Sequence, residues 1–353
     1  MGIPAGISNY FITEAEACRD SLELICDEPC YLIGFVTDSH YYGYGDGNNW
    51  PRTVKNIMAV NTLYPLDCII HGGDIVTGNL AKSSTIRDIR TVRNSMTANF
   101  KNVIMLTGNH DDNSYYDPEE REYDTNTDWL NDNTLFGLFG RLPSTKAHFL
   151  NNYNACWWDI EELNLRIICL DAILPNSLGI NQSTNWGYSA EEIAWLTSVL
   201  ASARNNERHV AIFSHMPATP SLMNLGTNGV LQGSNIGDTP AENTVRKIIN
   251  NFIADGGIFV GWFHGHTHRD KITKVTGNNF TECATGCSMC NGTVEESTND
   301  YGKQEARALN TVTEDLWDII VIKPYSKTVK LVRFGAGDDR DFNYLSTATS
   351  SEG

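Results

Sequence analysis

Short polar clusters rich in histidine, aspartate and asparagine recur along the chain, each directly after an apolar stretch. Five of the nine histidines fall in these clusters. In chain order the clusters are Asp38-Ser39-His40, Gly73-Asp74, Gly108-Asn109-His110-Asp111, His215 and Gly265-His266-Thr267-His268. Imidazole nitrogens mixed with carboxylate and amide oxygens suit borderline divalent metals such as Mn, Fe, Zn, Co or Ni. The clusters therefore predict a metal site built without thiolates.

The spacing inside two clusters adds a geometric expectation. In an extended segment, residues i and i+2 point the same way. Asp38 with His40, and His266 with His268, are thus each expected to aim both side chains at one centre. His71 and His209 stay outside the predicted site, because a lone histidine beside a strand is more often structural.

The elements before the first three clusters read as βαβ units. Apolar runs at residues 31–37, 67–71 and 103–107 predict strands, and helices are expected from Pro51 and over 80–99. The clusters are evenly spaced, with 36 residues from Asp38 to Asp74 and 35 from Asp74 to Asn109. Loops at the carboxyl ends of parallel strands commonly build the site in such folds.

Further elements follow the same reading. A hairpin is expected over 156–161 and 165–170, and the pattern Ser189-Ala190-Glu191-Glu192 predicts a capped helix over 189–203. A similar pattern from Thr13 to Glu16 predicts a helix that runs to about Cys26. The other predictions are strands at 209–213, 258–263, 316–322 and 328–334 and a helix near 242–254.

The ordered clusters resemble the calcineurin-like metallophosphoesterase family, whose motifs are D-x-H, G-D, G-N-H-[DE], an isolated H and G-H-x-H. All five occur here in that order, and the resemblance spans residues 31–270. It implies an α/β fold, a four-layer α-β-β-α sandwich with two mixed sheets. It also implies a centre of two divalent metal ions, with Mn expected first and Fe, Zn, Ni or Co as alternatives.

The resemblance also implies a role for each motif residue. Two ions a few ångströms apart need a shared carboxylate, and Asp74 takes that bridging role. His110 is expected over the phosphate, where it protonates the leaving oxygen, with Asp111 fixing its orientation. The implied reaction is in-line attack on phosphorus by the hydroxide that bridges the metals. The remaining implied ligands are Asp38, His40 and His268 for one metal and Asn109, His215 and His266 for the other.

Composition limits the classes of partner. The chain has 353 residues and a formal net charge of −17, which disfavours binding along duplex nucleic acid. No stretch approaches the roughly 18 apolar residues of a membrane span, and residues 1–10 do not resemble a secretion signal. Nine cysteines, two of them in apolar strand-like runs, argue against a disulfide framework. A soluble protein made in the cytoplasm is expected.

Three regions are expected: an N-terminal helical extension (1–30), a metallophosphoesterase domain (31–335) and a C-terminal tail (336–353). Within the domain, residues 112–150 are rich in Asp, Asn, Tyr and Glu and read as an inserted loop region that sets substrate choice. Cys283, Cys287 and Cys290 form a C-x3-C-x2-C pattern. The iron–sulfur reading of this pattern is rejected because the site is already complete and the usual structural context is missing.

Differences from the motifs of two subfamilies narrow the class of substrate. Thr77 stands where purple acid phosphatases have a tyrosine ligand, and Asp111-Asp112-Asn113-Ser114 replaces the arginines typical of protein phosphatases. Arg52 and Arg269 are the only basic residues close to the motifs in sequence, so a phosphodiester is favoured over a phosphomonoester. Aromatic residues at 41–50 and at Tyr115-Tyr116 are expected to line the rim, either stacking on a sugar or base or packing locally.

Alternatives remain at the level of substrate and role. A nucleotide or sugar phosphomonoesterase is the alternative enzyme. The segment from Arg333 to Tyr344 is similar to the ends of phage and prophage phosphoesterases. That similarity suggests an envelope polymer or a small nucleotide-derived ester as substrate, association with virions and phage structural proteins as partners. The alternative outside enzymes is a phage structural protein with a vestigial site.

Overall fold

The computed structural model describes residues 2–43, 49–113, 130, 132–139, 146–151, 153–172, 187–219, 244–275 and 277–345. Residues 44–48 of the first aromatic loop, Ser114, Tyr115-Tyr116 and most of the expected insertion at 112–150 lie outside the described residues. Among the helices described, none combines the length and apolar character needed to span a bilayer.

The described part of the chain contains six α-helices and fifteen strands. The helices are α1 (Asn9–Ile25), α2 (Trp50–Leu63), α3 (Lys82–Asn99), α4 (Asp132–Phe139), α5 (Ala190–Asn205) and α6 (Val245–Ala254). The strands of the first half are β1 (Tyr31–Val36), β2 (Cys68–His71), β3 (Val103–Met105), β4 (His148–Phe149), β5 (Cys156–Ile160), β6 (Leu165–Cys169) and β7 (His209–Phe213). Those of the second half are β8 (Ile258–His264), β9 (Lys271–Thr273), β10 (Glu282–Ala284), β11 (Ser297–Asn299), β12 (Gly302–Gln304), β13 (Leu316–Lys323), β14 (Thr328–Gly335) and β15 (Arg340–Asn343).

The strands form two large mixed sheets and one small ribbon. The six-stranded sheet has the order β15-β14-β13-β1-β2-β3, in which β1, β2 and β3 are parallel and β13 runs antiparallel to β1. The seven-stranded sheet has the order β4-β5-β6-β7-β8-β10-β9, with β6, β7, β8 and β10 parallel. Strands β11 and β12 pair separately. Because β1 to β3 are parallel in one sheet and β7 and β8 are parallel in the other, the polar clusters that follow them lie at the carboxyl ends of neighbouring strands.

Three apolar clusters define four layers. Helices α1 to α4 cover the outer face of the six-stranded sheet, as Leu22 and Ile57 pack with Trp317. The two sheets face each other through residues such as Phe35, Ile167 and Phe213. Helices α5 and α6 cover the outer face of the seven-stranded sheet. The predicted α-β-β-α sandwich is confirmed.

Two helix starts show what the sequence could and could not define. The Ser189 side chain accepts a hydrogen bond from the Glu192 amide, so the predicted cap of α5 is present. Helix α1 begins at Asn9 rather than near Thr13, because Phe11 and Ile12 donate backbone hydrogen bonds to Ser8. Burial of Phe11 against the first sheet favours this earlier start, so the predicted capping box at Thr13 was wrong.

The two terminal regions contact the sandwich. Helix α1 packs against α2 and β14. Part of the segment expected to be a tail, Arg340–Asn343, forms the edge strand β15 and pairs with β14.

Candidate metal centre

The five polar clusters meet at one edge of the sandwich because each follows a parallel strand. They come after β1, β2, β3, β7 and β8. Backbone hydrogen bonds join the loops: Asp38 N donates to Gly73 O at 3.0 Å, and Gly265 N donates to His215 O at 3.2 Å. Neighbouring loops are therefore fixed to one another within each sheet, and across the two sheets His266 N donates to Asp38 Oδ2 at 3.1 Å.

One half of the candidate site collects the first and last clusters. His40 Nε2 and His268 Nε2 lie 3.0 Å apart, and Asp38 Oδ1 lies 3.2 Å from His268 Nε2. Asp74 Oδ2 is 3.7 Å from His40 Nε2. Donor atoms of these four residues lie within 4.8 Å of one another, so they could hold one cation.

The other half uses the same carboxylate oxygen, Oδ2 of Asp74. Asp74 Oδ2 lies 3.3 Å from His215 Nε2. Asn109 Oδ1 is 3.1 Å from His215 Nε2 and 2.9 Å from His266 Nδ1. Asp74 thus contributes to both donor groups, which places a shared carboxylate between two candidate cation positions.

The donor set fits two divalent cations of the borderline class. The Asp38 side chain is 0% exposed, and its Oδ1 atom accepts no hydrogen bond. Buried acceptors without a donor are costly unless a cation or a proton satisfies them. His40 Nε2 and His268 Nε2 also lie 3.0 Å apart, so both nitrogens could bind one cation, whereas without a cation one ring donates a hydrogen bond to the other.

The electrostatics of the cluster favour ionised carboxylates. Burial lowers the pKa of His40 to about 3. Burial also disfavours charge on His215, yet the Asp74 carboxylate raises the pKa of this histidine to about 9. Against the effect of burial, His268 holds the pKa of Asp38 below its usual range, and His215 does the same for Asp74. Both aspartates therefore present negative oxygens at neutral pH.

The backbone at the ligands is left-handed rather than extended. Asp38, His40 and Asp74 have φ of 55°, 40° and 51°, and His266 and His268 have φ of 66° and 56°. The expectation that i and i+2 share a direction through extended geometry was therefore wrong. Asp38 and His40 still converge, but His266 turns to Asn109 and His268 turns to Asp38.

His110 lies at the rim of the cluster with a side chain 15% exposed. Its Nδ1 donates to the carbonyl oxygen of Thr77 at 2.7 Å, since a carbonyl can only accept. This contact assigns the proton to Nδ1, and Nε2 lies 3.8 Å from Asp74 Oδ2. The Thr77 contact could not be predicted from the residue types, because any residue can supply a backbone carbonyl.

The Asp111 carboxylate is hydrogen-bonded to backbone amides, and its expected role in orienting the His110 ring stays a prediction. Its Oδ1 accepts hydrogen bonds from the amides of Ile75 and Val76 at 2.8 and 3.2 Å, and its Oδ2 accepts from the Gly108 amide at 2.8 Å. The buried carboxylate therefore ties the loop after β3 to the loop after β2. A carboxylate can satisfy several amides at a chain reversal, which explains why an acidic residue here need not contact the ring.

The histidines left outside the predicted site have local partners. His71 Nε2 lies 2.9 Å from Ser39 Oγ, and His209 Nδ1 lies 2.5 Å from Tyr344 Oη. His264 is buried and its Nδ1 contacts Gly265 O at 3.0 Å. Cys287 is a neighbour that the predicted site did not include: its Sγ lies within 4.8 Å of donor nitrogens of His40 and His268.

The sequence profile of the calcineurin-like phosphoesterase family matches residues 31–270. A manganese-dependent ADP-ribose/CDP-alcohol diphosphatase of Danio rerio is 23% identical over 233 residues, which cover 55% of this chain and 72% of that protein. A Homo sapiens cyclic GMP-AMP phosphodiesterase is 29% identical over 147 residues, which cover 39% of this chain and 29% of that protein.

Among solved structures, a dimetal phosphatase from Danio rerio superposes with a TM-score of 0.56 at 16% identity. The match covers 90% of this chain and all of that one, and it supports the fold. These animal relatives give no support to a phage origin, to phage structural partners or to an envelope polymer as substrate.

Proposed function

The chain belongs to the calcineurin-like phosphoesterase family and is a phosphoester hydrolase that uses two divalent metal ions. On that premise we propose that it cleaves small phosphodiesters or diphosphate esters that carry a nucleoside, with Mn²⁺ as the preferred cation. The observation that carries this proposal is the sharing of Asp74 between two groups of donors beside His110.

We assign the ligands as the geometry groups them. Asp74 would bridge the two cations, and His110 would act beside them as the general acid. Asp38, His40 and His268 would hold the first cation, and Asn109, His215 and His266 would hold the second. When bound, the two cations supply Lewis-acid polarisation of the phosphoryl group and activation of water.

His110 contributes the proton that the leaving oxygen needs. Because Nδ1 is committed to the Thr77 carbonyl, only Nε2 can exchange a proton with a substrate. Hydrogen bonding of Nδ1–H to a carbonyl fixes the ring plane and the tautomer. Proton transfer by such a positioned side chain contributes about 10²- to 10⁴-fold to a rate.

The surroundings of the two nearby arginines support a substrate whose phosphorus carries one negative charge. The Arg52 guanidinium pairs with Glu314, and Arg269 Nη1 donates to Ser297 O at 3.2 Å. Both groups are thus engaged away from the ligand cluster. A phosphomonoester dianion would call for an arginine clamp, whereas each phosphorus of a diester or an internal diphosphate carries a single charge.

The relatives support the nucleoside part of the proposal. The Danio rerio relative is named for ADP-ribose and CDP-alcohols, and the human relative for cyclic GMP-AMP. Their substrates share a phosphorus with two ester or anhydride substituents and a nucleoside. A net charge of −17 on this chain makes the local cations more important for attracting such anions.

The proposal is tested with chelator-stripped protein refilled with Mn²⁺, Zn²⁺, Co²⁺ or Ni²⁺. The substrates are bis-p-nitrophenyl phosphate, p-nitrophenyl phosphate and ADP-ribose. Asp74→Asn should abolish binding of the second equivalent of metal and lower turnover, and His110→Ala should lower turnover by about 100-fold or more while both metals still bind. His148→Ala is the matched control, because this histidine is exposed in β4.

The results separate the elements of the proposal. Diester and diphosphate cleavage that exceeds monoester cleavage, with Mn²⁺ giving the fastest turnover, supports it. Faster hydrolysis of the monoester would refute the substrate class. Full activity in His110→Ala would refute the assignment of the general acid.

A further inference from the structure

The loop that carries the C-x3-C-x2-C pattern packs directly on the first metal motif. Ser288 N donates to Thr37 O at 3.0 Å, and Met289 N donates to Asp38 O at 3.2 Å. Cys287 Sγ lies 2.9 Å from the same Asp38 carbonyl oxygen and donates to it. The thiol is therefore fixed beside the residue that begins the donor cluster, although 249 residues separate the two in sequence.

Cys287 completes a second group of donors at the first cation position. Its Sγ and one nitrogen each from His40 and His268 all lie within 4.8 Å of one another. The oxygen-rich group at this position uses the same two histidines with Asp38 and Asp74. Two donor groups, one with carboxylates and one with sulfur, thus share a pair of imidazoles.

A second observation points to a cation between these groups. Asp38 Oδ1 is buried and accepts no hydrogen bond, while it faces His268 Nε2 at 3.2 Å. The carboxylate oxygen and the two imidazole nitrogens surround a point where a positive charge would stabilise the buried carboxylate. Cys287 lies beside that point and is itself buried, with 8% of its surface exposed.

The loop is held rigidly enough for the thiol to keep this position. Asn49 Nδ2 donates to Ser288 O at 2.8 Å, and Asn49 Oδ1 accepts from Cys290 N at 3.0 Å. Arg307 Nη1 donates to Cys287 O at 2.6 Å. Before Cys287, Gly286 N donates to Asp270 Oδ1 at 3.0 Å. The backbone is thus held on both sides of Cys287, so the sulfur needs only a rotation about its own side chain to approach a cation.

We propose that Cys287 is an alternative sulfur ligand at the first metal position, recruited with His40 and His268 by thiophilic divalent cations such as Zn²⁺ and Cd²⁺. The inference rests on the metal position assigned in the proposed function. Thiolate selects softer cations, and carboxylate oxygens suit Mn²⁺. On binding, the thiol loses its proton to solvent and gives up the hydrogen bond to Asp38 O, while the metal–sulfur bond forms.

This arrangement predicts a preference among metals that the carboxylates alone would not give. Zn²⁺ and Cd²⁺ gain a sulfur bond that Mn²⁺ has little tendency to make. They should therefore displace Mn²⁺ from the first position more effectively in the native protein than in a protein without the thiol. Cys287 would then act as the residue through which thiophilic cations compete with the working metal.

The test uses the full chain stripped of metal and titrated with Co²⁺, Zn²⁺ and Mn²⁺. The native protein should show a sulfur-to-cobalt charge-transfer band in the near ultraviolet that grows with the equivalent filling the first position. Cys287→Ser keeps a hydroxyl able to donate to Asp38 O and should lose this band. It should bind Zn²⁺ at least about tenfold more weakly, with Mn²⁺ affinity within about threefold of the native value.

Cys290→Ser is the matched control, because this thiol lies in the same loop but donates to Gly292 O at 3.2 Å. It should keep the band. A cobalt-loaded native protein without the band overturns the inference whether or not Cys287→Ser folds, and so does a band that survives in a folded Cys287→Ser. Failure of the native protein to bind Mn²⁺ or to hydrolyse any phosphoester is a different result, since it overturns the proposed function.

Discussion

At the scale of single residues, the candidate site depends on backbone conformations that most side chains avoid. Five of the proposed ligands have positive φ. Each such residue costs about 1–3 kcal/mol, and the surrounding structure must compensate. The hydrogen bond from His40 N to Asp74 O at 3.0 Å is one of the contacts that maintain this geometry. Strain at these positions is consistent with donors arranged for a ligand rather than for stability.

The glycines of the motifs permit close approach to the ligand carboxylates. A Cβ on Gly108 would lie 2.2 Å from both N and Oδ1 of Asp74. We predict that Gly108→Ala displaces Asp74 and weakens Mn²⁺ binding by about 10- to 100-fold, as expected when a ligand loses its positioning contacts. Titration calorimetry of the metal-stripped protein measures this change.

Gly292→Ala is the control for that prediction, because a Cβ there meets no atom within 4 Å. Its metal affinity should equal that of the native protein. Normal Mn²⁺ binding by Gly108→Ala would show that the close packing of this loop on Asp74 does not require a glycine.

The sequence contained much of the site at this scale and omitted parts that depend on the backbone. The types and order of the motif residues, such as Asp74 and His110, predicted which side chains should meet. The contact with the Thr77 carbonyl could not be predicted, because every residue has a backbone carbonyl. The position of Cys287 could not be predicted either, because it depends on how a loop late in the chain packs on a loop early in it.

At the scale of elements, buried ion pairs fasten the loop of the last motif to the first sheet. Arg333 in β14 binds Asp270 through Nη1 at 2.9 Å and Nη2 at 2.7 Å, and its Nε donates to Asp318 Oδ1 at 2.9 Å. Asp270 follows His268 by two residues and pairs with Lys303 through the backbone. Arg333 thus connects the strand pair β13 and β14 to the segment that carries a proposed ligand.

We predict that Arg333→Met lowers the free energy of unfolding by about 3–5 kcal/mol, because it leaves Arg340, among the described residues, as the one remaining guanidinium partner of two buried carboxylates. Denaturant titration monitored by circular dichroism measures this loss. Arg204→Ala removes an ion pair with Asp255 whose side chains are 34% and 62% exposed, and it should change stability by about 1 kcal/mol or less. Equal losses in the two variants would contradict the prediction.

Strands were predicted more accurately than the segments between them. β7 was predicted at its observed bounds, and β13 and β14 within one residue, since apolar runs that end at polar clusters leave little freedom in the assignment. Helix α6 begins at Val245 rather than near Glu242. Helix starts are harder to predict, because a capping residue such as Thr244 competes with several similar neighbours.

At the scale of the whole molecule, His209 and Tyr344 connect the two sheets. His209 begins β7 of the seven-stranded sheet, and Tyr344 follows β15 of the six-stranded sheet. The pKa of Tyr344 is raised by burial, so its hydroxyl stays protonated, and it is hydrogen-bonded to His209 Nδ1 at 2.5 Å. Burial and the nearby Lys327 lower the pKa of His209.

This pair predicts a loss of stability in acid. Below the usual histidine pKa of about 6.5, the unfolded chain takes up a proton at His209 that the folded chain resists. The free energy of unfolding should therefore fall as the pH drops through this range. His209→Gln keeps a hydrogen-bond acceptor without titrating, so its stability should depend less steeply on pH below about 6.5.

Urea denaturation of the metal-stripped native and variant proteins at several pH values measures the two slopes. Tyr344→Phe serves as a second variant, because it removes the hydroxyl and leaves the titrating ring in place. It should retain the native slope that His209→Gln loses. Equal dependence of the free energy of unfolding on pH in all three proteins would show that His209 does not cause the acid sensitivity.

The order of strands across the six-stranded sheet has a consequence for synthesis on the ribosome. Strand β1 lies between β2 and β13, so one side of the earliest strand waits for residues 316–323. From Val36 to Leu316 is 280 residues, which at about 5–20 residues per second takes roughly 15–60 s. During that interval the nascent chain carries an apolar strand with an open edge. Open apolar edges favour aggregation, so we expect chaperone demand to fall once β13 has emerged from the exit tunnel.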